Sequence, residues 1–294
     1  MKKYYMQDGS LKVIFYLVTA LFSLFCLFPF LLVISSSFTD EVYILKYGYK
    51  LLPGKVSLEA YRLILGTNVI YDAYLVTIFI TIAGTALSML FTSALAYAIS
   101  VKSVKYRNGI AFYVYFTMLF NGGLVPTYIL ISKYLQMKDN LWVLILPALI
   151  SPWYMFLMRN FFKSIPDSLA ESAKIDGAND IYILLRIILP LSLPAIATIS
   201  LFYALGYWNE WFKALLYIEK PRLYPLQYII MYILRNVDFA SSIAPEAGIS
   251  SKMLVPAYST RMATTVVTIG PIIFIYPFIQ KYFIKGLTVG AIKG

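Results

Sequence analysis

Histidine is missing from this chain altogether, and cysteine occurs once, as Cys26 inside an apolar run. The first absence removes the usual general base at neutral pH and the commonest zinc ligand. The second excludes an internal disulfide framework and any cysteine-based metal cluster. Charge is also scarce. Soluble domains carry about 25% charged residues, whereas this chain has 13%, with 60% hydrophobic residues. So little charge cannot cover a soluble protein of 294 residues, so most of the surface is expected to face lipid. Acids are outnumbered, 14 to 25 basic residues, for a net charge of +11. On this background the excess reads as juxtamembrane Lys and Arg, and no nucleic-acid partner is expected. Internal repeats and low-complexity tracts are absent. No constellation of His, Cys or carboxylates marks a catalytic or metal site.

What is present is a series of long apolar runs. A spanning helix needs about 20 mostly apolar residues, and six segments qualify: Val13–Ile34, Tyr74–Ser100, Gly109–Ile131, Leu141–Met158, Leu191–Tyr217 and Met262–Ile284. The expected fold is an all-α membrane protein with six transmembrane helices. Residues 1–70 read as a first span and external loop, and 71–294 as the main transmembrane domain. The first apolar run exceeds the roughly 7–15 residues of a signal-peptide core, so it is expected to be retained as a span. Pro126, Pro147 and Pro271 are expected to kink their helices.

Orientation follows from the basic residues. Lys102, Lys105 and Arg107 occupy a short loop without an acid, which places that loop in the cytoplasm. Both termini then lie on the same side, as an even number of spans requires. Two external segments are long, Ser35–Asp72 and Glu219–Arg261. They read equally as caps over the bundle or as surfaces for an external partner.

Between spans four and five lies a polar, small-residue segment on the cytoplasmic side. Ser164, Pro166 and Asp167 suit a helix start, with Ser164 as the N-cap. Ile165, Leu169 and Ala173 are then expected on one face. Gly177 suits a left-handed cap. A second helix is expected from Asn179 or Asp180 to Leu189, with Pro190 at its junction with span five.

This segment resembles the loop shared by permease subunits of ATP-binding-cassette importers, whose pattern is Glu-x-Ala-x-x-x-Gly, nine residues, then Ile-x-Leu-Pro. Glu171, Ala173, Gly177, Ile187, Leu189 and Pro190 fill every named position, and Asp176, Gly177 and Ala178 match the sugar-importer form. The likeness extends over about residues 70–294. The stretch Gly206–Trp211 is similar to an element of maltose-type permeases, and Pro221–Gln227 to the segment that follows it. The tail Lys285–Gly294 resembles that of the second permease subunit. The stretch Asn121–Thr127 resembles a branch associated with complex oligosaccharides.

The resemblance implies a bacterial multi-pass protein of the cytoplasmic membrane that forms half of a translocation pathway for oligosaccharides. Its implied partners are a second permease, two ATPase subunits, an extracellular solute-binding protein and membrane lipid. The helix Ser164–Asp176 would couple to one ATPase, with Glu171 as a polar contact or cap and Gly177 setting its angle. The tail would enter the ATPase dimer interface, although a frayed terminus is the plainer reading. No Walker A sequence occurs, so ATP and Mg are expected on the partner ATPase, with no cofactor on this chain.

Tyr203, Tyr207 and Trp211 recur at i, i+4, i+8, with Trp208 and Asn209 beside them. Aromatic rings and an amide suit a sugar pathway. An interfacial aromatic belt or plain packing explains the same stripe. Glu210 and Lys213 form an i, i+3 pair at that end. An ion-coupled secondary carrier is the rival reading. It requires inverted repeats and intramembrane ionisable groups, for which the chain offers only this pair.

Overall fold

The computed structural model describes residues 4–66, 68–243 and 257–269. The chain divides into two compact units, residues 1–68 with 232–271, and residues 69–231 with 272–294. Among the described residues the structure is helical, and the only strand pairing is an isolated antiparallel bridge between Thr39 and Val56.

The first unit opens with α1 (Tyr4–Ser37), 34 residues long. At 1.5 Å per residue it is about 50 Å long, more than the roughly 30 Å of a hydrocarbon core. None of its most apolar window is buried. Thr19 and Ser23 donate their hydroxyls to the carbonyls of Phe15 and Thr19, at 2.7 and 2.8 Å. That removes polar hydrogens an apolar solvent could not satisfy. Asp40 caps α2 (Glu41–Tyr47) by accepting from the Tyr43 N–H at 3.3 Å, and it pairs with Lys55 at 3.0 Å. Phe38 stacks on Tyr61 of α3 (Glu59–Leu65), with ring centroids 4.9 Å apart.

The second unit is built on α4 (Asn68–Ser100), a 33-residue helix. It is followed by α5 (Arg107–Leu119), α6 (Leu124–Ile129) with a π turn to Tyr134, α7 (Trp142–Ile145) with a 3-10 turn to Ala148, and α8 (Pro152–Lys163). Then come α9 (Asp167–Ile175), α10 (Asp180–Ile183) running through a π turn into α11 (Leu189–Leu191), α12 (Leu193–Trp208) and α13 (Phe212–Tyr217). The last, α14 (Leu226–Ile243), continues past the end of this unit. A further helix, α15, covers residues 257–269. The core of the second unit is apolar, with Ile80, Ile99, Leu144, Ile145, Met155, Met158 and Ile183 wholly buried.

Among the described residues two helices are long and apolar enough to cross a membrane unbroken, α1 and α4, and three bent pairs bring the number there to as many as five. The expected third span bends by 111° between α5 and α6, where Asn121, Gly122 and Gly123 interrupt it. Gly123 has φ of +86°, and its N–H is held by the Asn121 side chain at 2.8 Å. Pro126 therefore falls in the first turn of α6 and does not kink a continuous helix. The expected fourth span bends by 52° after the 3-10 turn that contains Pro147. Of the expected sixth span, α15 covers the start. The rest, with Pro271 and the tail Lys285–Gly294, lies outside the described residues.

Candidate functional site

The segment between α8 and α12 folds as a helical hairpin about Gly177. The helix α9 begins two residues later than its sequence implies. Ser164 ends α8, donating its hydroxyl to the Phe161 carbonyl at 2.7 Å, and Pro166 occupies the N-cap of α9 without a side-chain bond. The reason is competition: α8 runs to Lys163, so its last turn claims the Ser164 hydroxyl. Asp167 in the first turn still favours the positive helix end.

The C-terminal end is a complete Schellman motif. The Ala178 N–H donates to the Ala173 carbonyl at 2.9 Å, and the Gly177 N–H to the Lys174 carbonyl at 3.0 Å. Gly177 has φ of +83°, where an L side chain costs about 1–2 kcal/mol. Asn179 then caps α10 by accepting from the Tyr182 N–H at 2.8 Å. Lys174 and Asp180 pair at 2.8 Å across the turn. Sequence spacing alone did not reveal that pair, because the residues are six apart and meet only once the chain reverses.

Ala170 and Ala173, three apart on α9, pack against the core, as does Ile165 from the linker before it. Leu169 does not join them. It is exposed, and Ile175 is 87% exposed. Ile165 precedes the helix, so the expected i, i+4, i+8 face does not extend to it. The outer face of α9 thus shows apolar Leu169 and Ile175 with Ser172 and Asp176. Glu171 is exposed one turn after Asp167. Asp167 binds Lys102 from the loop after α4, and that carboxylate, with Glu171 behind it, holds the Lys102 ammonium above its ordinary pKa.

Beyond the turn, Ile187 and Leu189 pack on the core and Ile188 is buried. The rod from Asp180 to Leu191 meets α12 at 86°, with the corner at Ser192 and Pro190 two residues before it. A groove of about 560 Å³ beside the turn brings together Ala173, Asp176, Gly177, Ala178 and Ile187. All eight residues of the sequence pattern therefore belong to one hairpin and its exit corner.

The aromatic stripe does not stay together. Tyr203 and Tyr207 are buried against α4, their hydroxyls bonded to Thr92 at 2.8 Å and Ser88 at 2.9 Å. Gly84 lets the Tyr207 ring lie on α4, since a Cβ there would fall 2.7 Å from the ring. Trp208 is buried too, with its indole N–H unpartnered among the described residues. The helix α12 stops at Trp208. Asn209 caps it by donating to the Leu205 carbonyl at 2.9 Å, and the Glu210 carboxylate accepts the Lys213 N–H at 2.8 Å to start α13. Trp211 lies in this break, off the α12 face, packed edge-on against Phe212. The expected continuous fifth span is thus interrupted, because Asn209 competes for the backbone of α12 and the Glu210 carboxylate takes the first-turn N–H of Lys213. Asn209 is exposed and accepts from the Gln227 amide at 3.2 Å. Glu210 and Lys213 also meet through their side chains, as an i, i+3 pair. No group of acids and cysteines among the described residues could hold a metal ion.

Residues 6–289 match the family described as "Binding-protein-dependent transport system inner membrane component", and the chain belongs to that family. It is similar to the polygalacturonan/rhamnogalacturonan transport system permease protein YtcP of Bacillus subtilis (strain 168), with 42% identity over 98% of this chain and 100% of that protein. Protein LplC of the same organism is 41% identical over 90% of this chain and 89% of its own length. In three dimensions it resembles a chain of "a bacterial ABC transporter involved in the import of the acidic polysaccharide alginate", with a TM-score of 0.81 and 30% identity, covering 94% of this chain and 98% of that one. Membership in this family overturns the rival reading of an ion-coupled secondary carrier.

Proposed function

We propose that this chain is a permease subunit of an ATP-driven importer for oligosaccharides, placed in the bacterial cytoplasmic membrane with both termini inside and six spans. It forms half of the translocation pathway with a second, different permease. Two ATPase subunits dock beneath the pair, and an extracellular solute-binding protein delivers the sugar. ATP and Mg act on the ATPase subunits, with no cofactor on this chain. The observation that carries this reading is the hairpin: a rigidly capped helix, α9, with Leu169 and Ile175 exposed on its outer face. Unpartnered apolar residues on a short polar helix suit insertion into a cleft of a soluble subunit. Glu171 would add a polar contact at that cleft. The rod Asp180–Leu191 and its corner at Ser192 would carry the movement of α9 into α12. ATP binding then shifts the population of inward- and outward-facing states, without chemistry on this chain.

The sugar assignment is supported by a relative named for polygalacturonan/rhamnogalacturonan transport and by a similar structure from a transporter involved in alginate import. Along the pathway we assign substrate contact to Asn209 and Trp211, at the accessible break after α12. Tyr203, Tyr207 and Trp208 would form the wall behind them. The test is a reconstituted complex of both permeases with the ATPase and binding protein. Gly177→Pro is expected to insert and assemble yet abolish ATP-driven uptake, and normal uptake by that variant would sink the coupling role. Uptake of oligogalacturonides is expected in the same system. Transport of amino acids or phosphate in their place would overturn the sugar assignment.

A further inference from the structure

Three apolar helices end at one place in the second unit. The helix α4 closes there, where the Ile99 carbonyl accepts from Arg159 Nε at 3.3 Å. The helix α5 starts there at Arg107, and the last turn of α8 carries Arg159 and Lys163. Arg159 and Lys163 are four residues apart and so share a face of α8. Arg107 and Lys163 line one cavity of about 500 Å³, and both Arg107 and Arg159 act electrostatically on Lys163. None of the three is ion-paired among the described residues.

Four other charged residues line this cavity: Lys102, Asp167, Glu171 and Lys174. Lys102 pairs with Asp167, Lys174 pairs with Asp180, and Glu171 stands on the α9 side. Arg159 also lies over the Phe156 ring, 6.0 Å from its centroid, which fixes the guanidinium at the helix end. These three cations, each without an ion pair among the described residues, repel one another, and an anion among them relieves that repulsion. Beside Arg107, α5 and the residue before it present an exposed apolar strip, with Tyr106 69%, Ile110 37% and Tyr113 70% exposed, at i, i+4, i+7. A soluble phosphate has no use for such a strip, whereas an acyl chain does.

We infer that the cavity lined by Arg107 and Lys163, with Arg159 beside Lys163 on α8, binds the phosphate of an anionic membrane lipid, whose chains run along the Tyr106–Tyr113 face of α5. The inference rests on membership in a membrane family and not on the sugar or on ATPase docking. The headgroup would tie the loop after α4 to the α8–α9 junction.

The full chain in phosphatidylcholine nanodiscs containing phosphatidylglycerol, with a photoreactive acyl chain on the phosphatidylglycerol, provides the test. Labelling is expected on the peptide carrying Tyr106–Tyr113 and is expected to fall on adding unlabelled phosphatidylglycerol. The variant R107Q/K163Q is expected to lower it about thirtyfold, given roughly 1 kcal/mol for each of two basic residues near an anionic surface. The variant R107K/K163R is expected to keep it, which separates loss of charge from loss of fold. Equal labelling of R107Q/K163Q and the native chain would overturn the site. So would equal labelling by a phosphatidylcholine probe. Displacement by millimolar inorganic phosphate would also overturn it, since the cavity would then take a soluble anion.

Discussion

Glu41 and Ser259 are joined twice: Oε2 of the glutamate accepts the Ser259 N–H at 2.8 Å and its hydroxyl at 2.7 Å. The other oxygen takes the N–H groups of Ala257 and Tyr258, both at 2.9 Å. One carboxylate, more than two hundred residues away in sequence, therefore satisfies the first turn of α15. Its negative charge also suits the positive helix end.

Removing that carboxylate is the first prediction. Glu41→Ala leaves three backbone donors without a partner, at an expected cost of about 1–3 kcal/mol. Glu41→Gln keeps one acceptor and is expected to cost less. Hydrogen exchange at the Ser259 amide is expected to accelerate in the order native, Gln variant, Ala variant. Unchanged protection in the Ala variant would show that the helix end is held by other contacts.

The Gly177 turn gives a second prediction, about stability alone. Gly177→Ala meets no atom within 4 Å of the added Cβ, so its cost comes from φ and not from crowding. About 1–2 kcal/mol is expected, and Gly177→Asn is expected to recover part of it, because Asn tolerates this conformation. The Lys174–Asp180 pair is solvent-exposed, at 43% and 58%. Asp180→Asn is therefore expected to lower the thermal midpoint much less than Gly177→Ala.

Gly84 and Tyr207 supply a third. Gly84→Ala puts a methyl 2.7 Å from the Tyr207 ring and so forces the ring away from α4. Overpacking of this kind costs about 1–3 kcal/mol. Tyr207→Phe alone leaves Ser88 without its 2.9 Å partner and is expected to cost about 1 kcal/mol. In the Gly84→Ala background that second loss is expected to shrink, since the hydroxyl is already displaced. Strict additivity of the two in thermal unfolding would contradict this packing.

A fourth concerns pH. Asp139, with φ of +55°, accepts the backbone N–H groups of Glu219 and Lys220 at 2.6 and 3.0 Å. Those N–H groups hold its carboxyl below the ordinary value of 3.8. Because the folded pKa is the lower one, the tie is fully present above the unfolded pKa and is lost as pH falls through the folded value. Exchange protection of the Glu219 and Lys220 amides, taken relative to Asp139→Asn, is expected to be high near neutrality and to vanish in acid. A ratio that stays flat across that range would show that the carboxylate does not hold the loop.

Much of the candidate site was legible before any coordinates. The small residues Ala173 and Ala178, the glycine at 177 and a helix start at Asn179 or Asp180 are local signals, and local backbone physics acts on them directly. Spans were legible as apolar runs but not as straight rods. Composition counts apolar residues and does not register that Asn121, Asn209 and Glu210 offer side-chain hydrogen bonds to the backbone. Those side chains break two of the runs.

Composition thus settled that the chain belongs in lipid and that it has neither histidine chemistry nor a disulfide frame, and the order of residues settled that a capped helix ends at Gly177. These properties depend on transfer energies and on near neighbours in the chain. Only tertiary structure decided that Leu169 faces outward with Ile175, that Tyr203 and Tyr207 give their hydroxyls to α4, that Lys174 meets Asp180, and that Glu41 caps a helix at Ala257. Each of these joins residues whose distance in space is set by how helices pack and where the chain turns, and spacing along the sequence carries no record of that.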